Sequence, residues 1–243
     1  MTTNHQQIQK VQFEKIAEKY EKTHLDVCRA AYQVTQTHFY PRLKGKRVLD
    51  IGNGGQNPER VLGRELSEQV PFFVGLDNSC EMLNRLTETY FRVAASGFSL
   101  PFKDRAFDYI LLNGVIHHLG FTACVANEKK LEAFLLELQR VCINEILVYE
   151  IFLPKWLERM QKFAARILMH MPTFVLSEST LDRVLANISQ QKKERVVMSL
   201  AKMTHPFFLH LVIMDYPWFK VFACLSPFKH VFFTVPVNAT RLK

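Results

Sequence analysis

Two short stretches hold the residue types from which a ligand site could be built. The first, Val48 to Gln56, runs from apolar residues into Asp50, Gly52, Asn53, Gly54, Gly55 and Gln56. Glycines there let the backbone approach a ligand, and a helix starting beyond them offers unpaired N–H groups. The second is Asp77-Asn78, which ends another apolar run 25 residues after Gly52. A carboxylate at that place can accept hydrogen bonds from both hydroxyls of a ribose. Loop and acid together point to a nucleoside derivative, and the pairing is much more specific than either part.

A third group could move protons. His117 and His118 follow the fourth apolar run and Glu150 the fifth. An imidazole titrates in the range useful for general-base work, although one of the two histidines is expected to be structural. His205, His210 and Asp215 join this group only if the C-terminal region folds over the site. No set of His, Asp or Glu shows compact ligand spacing, so no metal is expected. The cysteines Cys28, Cys80, Cys124, Cys142 and Cys224 are scattered and odd in number, without a C-x-x-C pair. They read as reduced thiols, and with a polar amino terminus the expected location is the cytoplasm.

The elements that must position these residues follow from periodicity. Helical spacing runs through Ile8, Val11, Phe13, Ile16, Ala17 and Tyr20, and again from Leu25 to His38 before Pro41. Strand runs are expected at Arg47–Ile51, Phe72–Leu76, Phe91–Ala95, Phe107–Leu112 and Glu145–Glu150. Helices are expected from Asn57-Pro58, from Ser79 to about Tyr90, and over Asn127–Val141. This alternation predicts an α/β fold: a Rossmann-like, doubly wound, mostly parallel sheet whose ligands sit at the carboxyl ends of strands. The expected organisation is an N-terminal helical cap over 1–46, a ligand-binding core over 47–150, and a C-terminal lid or acceptor region over 151–243 that completes the sheet.

Composition divides the chain in the same place. All nine glycines lie between Gly45 and Gly120, and the formal charge through Glu150 is zero. The whole net charge of +8 is carried from Ile151 onward. A scaffold that cradles a ligand is thus followed by a basic, phenylalanine-rich part suited to holding something else.

With these segments in order, the family resemblance can be stated. Val48-Leu49-Asp50-Ile51-Gly52-Asn53-Gly54-Gly55 resembles the first motif of class I S-adenosylmethionine-dependent methyltransferases. Val74 to Leu83 resembles the second strand with its ribose-binding acid, and Leu100 to Asp108 the approach to the fourth strand. Val115 to Leu119 resembles the turn after that strand, and Phe13 to Tyr20 the helix preceding the core. The resemblance implies S-adenosylmethionine as cofactor. It implies that Asp50 with Gly52, Asn53 and Gly54 holds the methionine part, Asp77 and Asn78 the ribose, and Ser96 and Gly97 the adenine. Asn113 would complete the site, and Tyr20 would close over it. Two positions depart from the pattern: Ser96 stands where an acid often meets the adenine amino group, and Gln56 where a third glycine is often found. A dinucleotide enzyme fits less well, because glycine would be needed at Asn57 and Asp50 would face a pyrophosphate. Methionine's ammonium group suits Asp50 better.

The acceptor is expected to be a small molecule, a lipid or a carrier-linked group. Nucleic acid is a weaker expectation despite a pI near 9.3. After the fourth strand the chain reads Asn113-Gly114-Val115-Ile116, unlike the Asn/Asp-Pro-Pro-aromatic grip on a planar nitrogen, and there is no Pro-Cys nucleophile. Trp156, Leu157, Met160, Phe163, Ala164, Ile167, Leu168 and Met171 form one helical apolar stripe, flanked by Arg159, Lys162 and Arg166. The stripe is expected either to pack on the core or to form a lid with peripheral membrane contact. Apolar runs near Glu194–Lys202 and His230–Val237 are expected to finish the sheet. The alternative to an enzyme is a non-catalytic partner subunit on the same fold.

Overall fold

Continuous apolar runs cannot lie on a surface, and here they form the inner strands of one sheet buried on both faces. The computed structural model describes Val11, Glu14 and residues 33–85, 90–119, 126–168, 175–188, 190–199 and 229–237. Tyr20, most of the expected N-terminal cap, and residues 200–228 with His205, His210 and Asp215 lie outside the described residues.

The strands are β1 (Arg47–Ile51), β2 (Phe72–Asp77), β3 (Phe91–Ala94), β4 (Phe107–Asn113), β5 (Cys142–Phe152), β6 (Lys193–Ser199) and β7 (Lys229–Pro236). They form a seven-stranded sheet in the order β3-β2-β1-β4-β5-β7-β6. Strands β1 to β5 pair in parallel, while β7 runs antiparallel to both β5 and β6. The expected Rossmann-like, mostly parallel sheet is therefore present, and both late runs complete it. β5 outruns its expected bounds because it is hydrogen-bonded along both edges, to β4 and to β7.

The helices are α1 (Pro58–Leu62), α2 (Arg64–Ser67), α3 (Cys80–Leu83), α4 (Ala126–Val141), α5 (Lys155–Leu168) and α6 (Glu178–Asn187). Leu131, Phe134 and Leu138 of α4 and Leu181 and Val184 of α6 share one apolar layer with Leu49, Ile110 and Ile146 of the sheet. The opposite layer joins Tyr40, Leu43, Val61 and Leu62 to Val48, Leu111 and Leu147. The alternation along each strand thus feeds two layers, as period-two side chains must. Among the described residues the helix expected to reach Tyr90 is the single turn α3, capped as anticipated by Ser79, whose hydroxyl accepts Met82 N at 3.3 Å.

Arg140, near the end of α4, fastens the segment that leads into β4. Its guanidinium donates to the carbonyls of Phe102 at 2.8 Å and Leu100 at 3.1 Å, and to the carboxylates of Asp104 and Glu137. Glu137 in turn accepts Leu100 N at 2.7 Å. Arg140→Ala is expected to cost about 2 kcal/mol, since it strips several charge-assisted bonds from a partly solvated site. Urea denaturation of the two proteins measures the difference.

Of the stripe on α5, Trp156, Met160 and Phe163 do not take the first of its two expected roles, packing on the core. Trp156, Met160 and Phe163 are 59, 60 and 66% exposed. Polar residues of the helix face the protein: the Glu158 carboxylate accepts Ser177 N at 2.9 Å and the Thr180 hydroxyl at 2.8 Å. Gln161 exchanges hydrogen bonds with the backbone of Val175. With Glu158 fixed inward, helical geometry turns residues 156, 160 and 163 outward.

Candidate functional site

The strand order reverses between β1 and β4, since the chain winds outward through β2 and β3 before returning to the far side of β1. An open α/β sheet has its crevice at such a point. A cavity lies there, among the tips of β1, β2, β3 and β4. It is lined by Gly52, Gly54, Asp77, Asn78, Ser96, Gly97, Asn113 and His118, together with the apolar Ile51, Leu76, Met82, Phe98, Val115, Leu119 and Phe134.

The glycine turn takes its shape from backbone conformations that side chains disfavour. Gly52 and Gly55 have φ of +66° and +73°, and a Cβ on Gly55 would stand 1.9 Å from the carbonyl oxygen of Met82. Asn53 ties the turn down: its amide donates to Asp50 at 2.8 Å and to Gln56 O at 3.0 Å, and its Oδ1 accepts Gln56 N at 3.0 Å. Gln56, which departs from the family's glycine, therefore takes part in the turn through its backbone.

Asp77 links this turn to the second strand. Its carboxylate accepts Gly54 N at 3.0 Å and Ser79 N at 2.9 Å. Burial pushes its pKa up, and those backbone donors oppose the rise. A carboxylate oxygen can accept more than one hydrogen bond, so both oxygens keep capacity toward the cavity.

Asp50 sits beneath the turn rather than on the cavity lining, and it is 2% exposed. Burial pushes its carboxyl up to about 7, with the Asn53 hydrogen bond opposing the shift and the charge of Asp77 adding to it. The folded state therefore binds this proton more tightly than the unfolded chain does. Stability conferred by that proton is present at low pH and falls as pH rises from the ordinary 3.8 through about 7. The contribution of Asp50 to the stability of the ligand-free protein is expected to fall across this window. Asp50→Asn is expected to flatten the trend, as read from denaturation midpoints at a series of pH values.

On the other side of the switch point, Asn113 accepts the Tyr40 hydroxyl at 3.1 Å through Oδ1. Burial raises the pKa of Tyr40, so the phenol stays protonated as the donor. Asn113 Nδ2 is buried and has no hydrogen-bond partner among the described residues. A buried donor left unpaired is costly, and a polar ligand in the cavity would satisfy it. This orphan, the glycine turn and the carboxylate of Asp77 fit the nucleoside and amino-acid parts of S-adenosylmethionine.

The proton-handling candidates divide. Glu150 is 1% exposed and does not line the cavity. Its carboxylate accepts Ile116 N at 2.6 Å, His117 N at 3.4 Å and Ile151 N at 2.8 Å, and meets His117 Nδ1 at 2.5 Å. It thereby pins the turn after β4 and orients His117. His118, stacked beside His117 with ring centroids 4.0 Å apart, is the histidine that lines the cavity. Among the described residues no group of three His, Cys, Asp or Glu side chains could hold a metal ion.

The sequence-level reading missed Tyr40 and the apolar lining. Tyr40 precedes a proline and reads as the end of a helix; only the fold brings it to Asn113. The structure also supplies the reason for glycine at position 97: a Cβ there would stand 2.7 Å from the Phe134 ring.

Residues 49–147 match a family model described as a methyltransferase domain. No curated protein matches the chain. Among solved structures, a geranyl diphosphate methyltransferase in complex with S-adenosylmethionine is similar at a TM-score of 0.62 and 13% identity, over 86% of this chain and 85% of that one. Magnesium protoporphyrin IX methyltransferase from Synechocystis PCC 6803 with bound S-adenosylhomocysteine gives 0.54 and 12%, over 89% and 84%. The methyltransferase in a Haloferax volcanii complex with the Trm112 methyltransferase activator gives 0.58 and 14%, over 92% and 93%. The family model thus places a methyltransferase domain at residues 49–147, and the solved structures share the fold of the chain.

Proposed function

We propose that the protein methylates a small-molecule, lipid or carrier-linked acceptor, with the cavity between the tips of β1, β2 and β4 as its cofactor site. The observation that carries this reading is Asp77, whose carboxylate is tied to the glycine turn through Gly54 N while it faces the same cavity. When bound, S-adenosylmethionine supplies a methyl group on a positively charged sulfur. The residues of the chain bind, orient and exclude water, which is what an in-line transfer asks of a protein.

In this reading Asp77 and Asn78 hold the ribose, and Gly52, Asn53 and Gly54 shape the pocket for the methionine part. Asp50 lends its negative charge from below, at an ammonium group. Ser96 and Gly97 flank the adenine, and Asn113 offers its unpaired amide. Tyr20 remains the proposed closing residue from the N-terminal side. Val115, Leu119, Met82 and Phe134 keep the cavity dry. His118 is the group on the cavity lining able to take a proton from an acceptor hydroxyl or amine. Glu150 positions His117 and the turn that carries His118, and is thereby a positioning residue rather than the base.

Two features support an acceptor of modest size and apolar character: the apolar share of the cavity lining, and methyltransferases of similar fold that act on geranyl diphosphate and magnesium protoporphyrin IX. A labelled-methyl screen of cell extract, separated into lipid, small-molecule, protein and nucleic-acid fractions, tests this. Label is expected in the lipid or small-molecule fraction, or on a carrier in the protein fraction, together with S-adenosylhomocysteine. Label confined to nucleic acid would overturn the assignment.

A further inference from the structure

Three rows of side chains run along α5, and each has a different neighbour. Glu158 and Gln161 face inward and are consumed by Ser177, Thr180 and Val175. Trp156, Met160 and Phe163, at i, i+4 and i+7, stand exposed. Lys155, Arg159 and Lys162 occupy the same spacing one residue earlier and form a basic row along the apolar one. Lys162 bridges back to Glu158 at 2.7 Å, whereas Lys155 and Arg159 are exposed. A helix whose Glu158 and Gln161 are satisfied by its own protein while Trp156, Met160 and Phe163 face out has an unusual surface to cover.

We infer that α5 is a membrane-docking helix that lies in the interface of an anionic bilayer. Trp and Phe beside Lys and Arg make the side-chain set that inserts shallowly among lipid headgroups while the cations meet lipid phosphates and carboxylates. The charge of the chain points to the same occupant. The net +8 resides wholly from Ile151 onward, in the part of the chain to which α5 belongs. Such a field attracts an anionic surface and repels a second copy of itself. No helix among the described residues is long and apolar enough to cross a membrane, so the contact is peripheral. α5 starts just beyond the end of β5, on the strand-tip side of the sheet that carries the cavity. Docking through it brings the cavity side toward the bilayer, where an apolar acceptor would reside.

The inference rests on the helix and its charge, independently of the assigned activity, and its test needs no turnover. The full chain is mixed with phosphatidylcholine vesicles with or without phosphatidylserine, and the bound fraction is read by sedimentation. Binding is expected to phosphatidylserine-containing vesicles, to weaken with added salt, and to be slight with phosphatidylcholine alone. The combined variant Trp156→Ser, Met160→Ser, Phe163→Ser is expected to bind on the order of tenfold less or weaker. Because these side chains are exposed, its circular dichroism and denaturation midpoint should match those of the parent. Lys155→Glu with Arg159→Glu should remove the preference for phosphatidylserine. In a Trp218→Phe background, the fluorescence of Trp156 should shift to the blue with anionic vesicles. The inference is overturned if the parent stays in the supernatant at low salt, or if the triple variant binds as well as the parent. It is also overturned if the blue shift occurs without lipid and tracks self-association, which would assign the stripe to a second copy.

Discussion

Asp77→Ala is expected to weaken S-adenosylmethionine binding by about a hundredfold or more. The carboxylate stands to lose two charge-assisted hydrogen bonds to ribose hydroxyls, each of which contributes about 1.5–3 kcal/mol. It also loses its bond to Gly54 N, which fixes the glycine turn against β2. Two separate contributions to the pocket are thus removed by one truncation. Asp77→Asn keeps an acceptor but presents an amide to a donor, so it should fall between the parent and the alanine variant. Titration calorimetry with S-adenosylhomocysteine measures both, and circular dichroism checks that each variant is folded. A folded Asp77→Ala protein with undiminished affinity would remove the basis for the cavity assignment.

The second large effect is expected on stability. Glu150→Ala should destabilise the protein by about 3–5 kcal/mol, the range for breaking a buried, hydrogen-bonded charge site. The carboxylate gathers three backbone N–H groups and the ring of His117, and Ile116 at the centre of that turn is 1% exposed. Without Glu150 the buried Ile116 N–H is left unpaired, and the part-buried donors of His117 and Ile151 lose their acceptor. Glu150→Gln retains one acceptor oxygen but turns an NH₂ group toward donors, so an intermediate loss is expected. Guanidinium denaturation separates the three proteins. If Glu150 acted instead as the proton acceptor in methyl transfer, Glu150→Gln would lose turnover while keeping full stability.

Much of this architecture could be read from the residues before any coordinates. The strand at Arg47–Ile51 falls where expected because an apolar run that stops at a glycine cluster has few other uses. α4 appears one residue earlier than its expected start, since a long amphipathic period survives small errors at its ends. Asp77 and Gly54 meet because parallel strands adjacent in the sheet bring their tips together. What sequence could not give was the role of polar residues inside elements. Glu150 looked like a base because it follows a strand tip, yet neighbouring N–H groups absorb its oxygens. The stripe on α5 suited a packing face or a lid, because periodicity reports which residues share a side, not which side faces the protein. That choice was made by Glu158, whose partners Ser177 and Thr180 lie about 20 residues away in sequence.

The antiparallel strand β7 has a consequence for how the molecule is made. Its residues 229–236 are the last strand in chain order among the described residues, yet they lie between β5 and β6. While a ribosome is still short of that segment, β5 presents an unzipped border along residues 145–152. Exposed borders of this kind recruit foreign strands. Nascent chains of this protein should therefore rely on chaperone cover until the closing segment emerges, and truncations that remove β7 should aggregate rather than persist as a shortened domain.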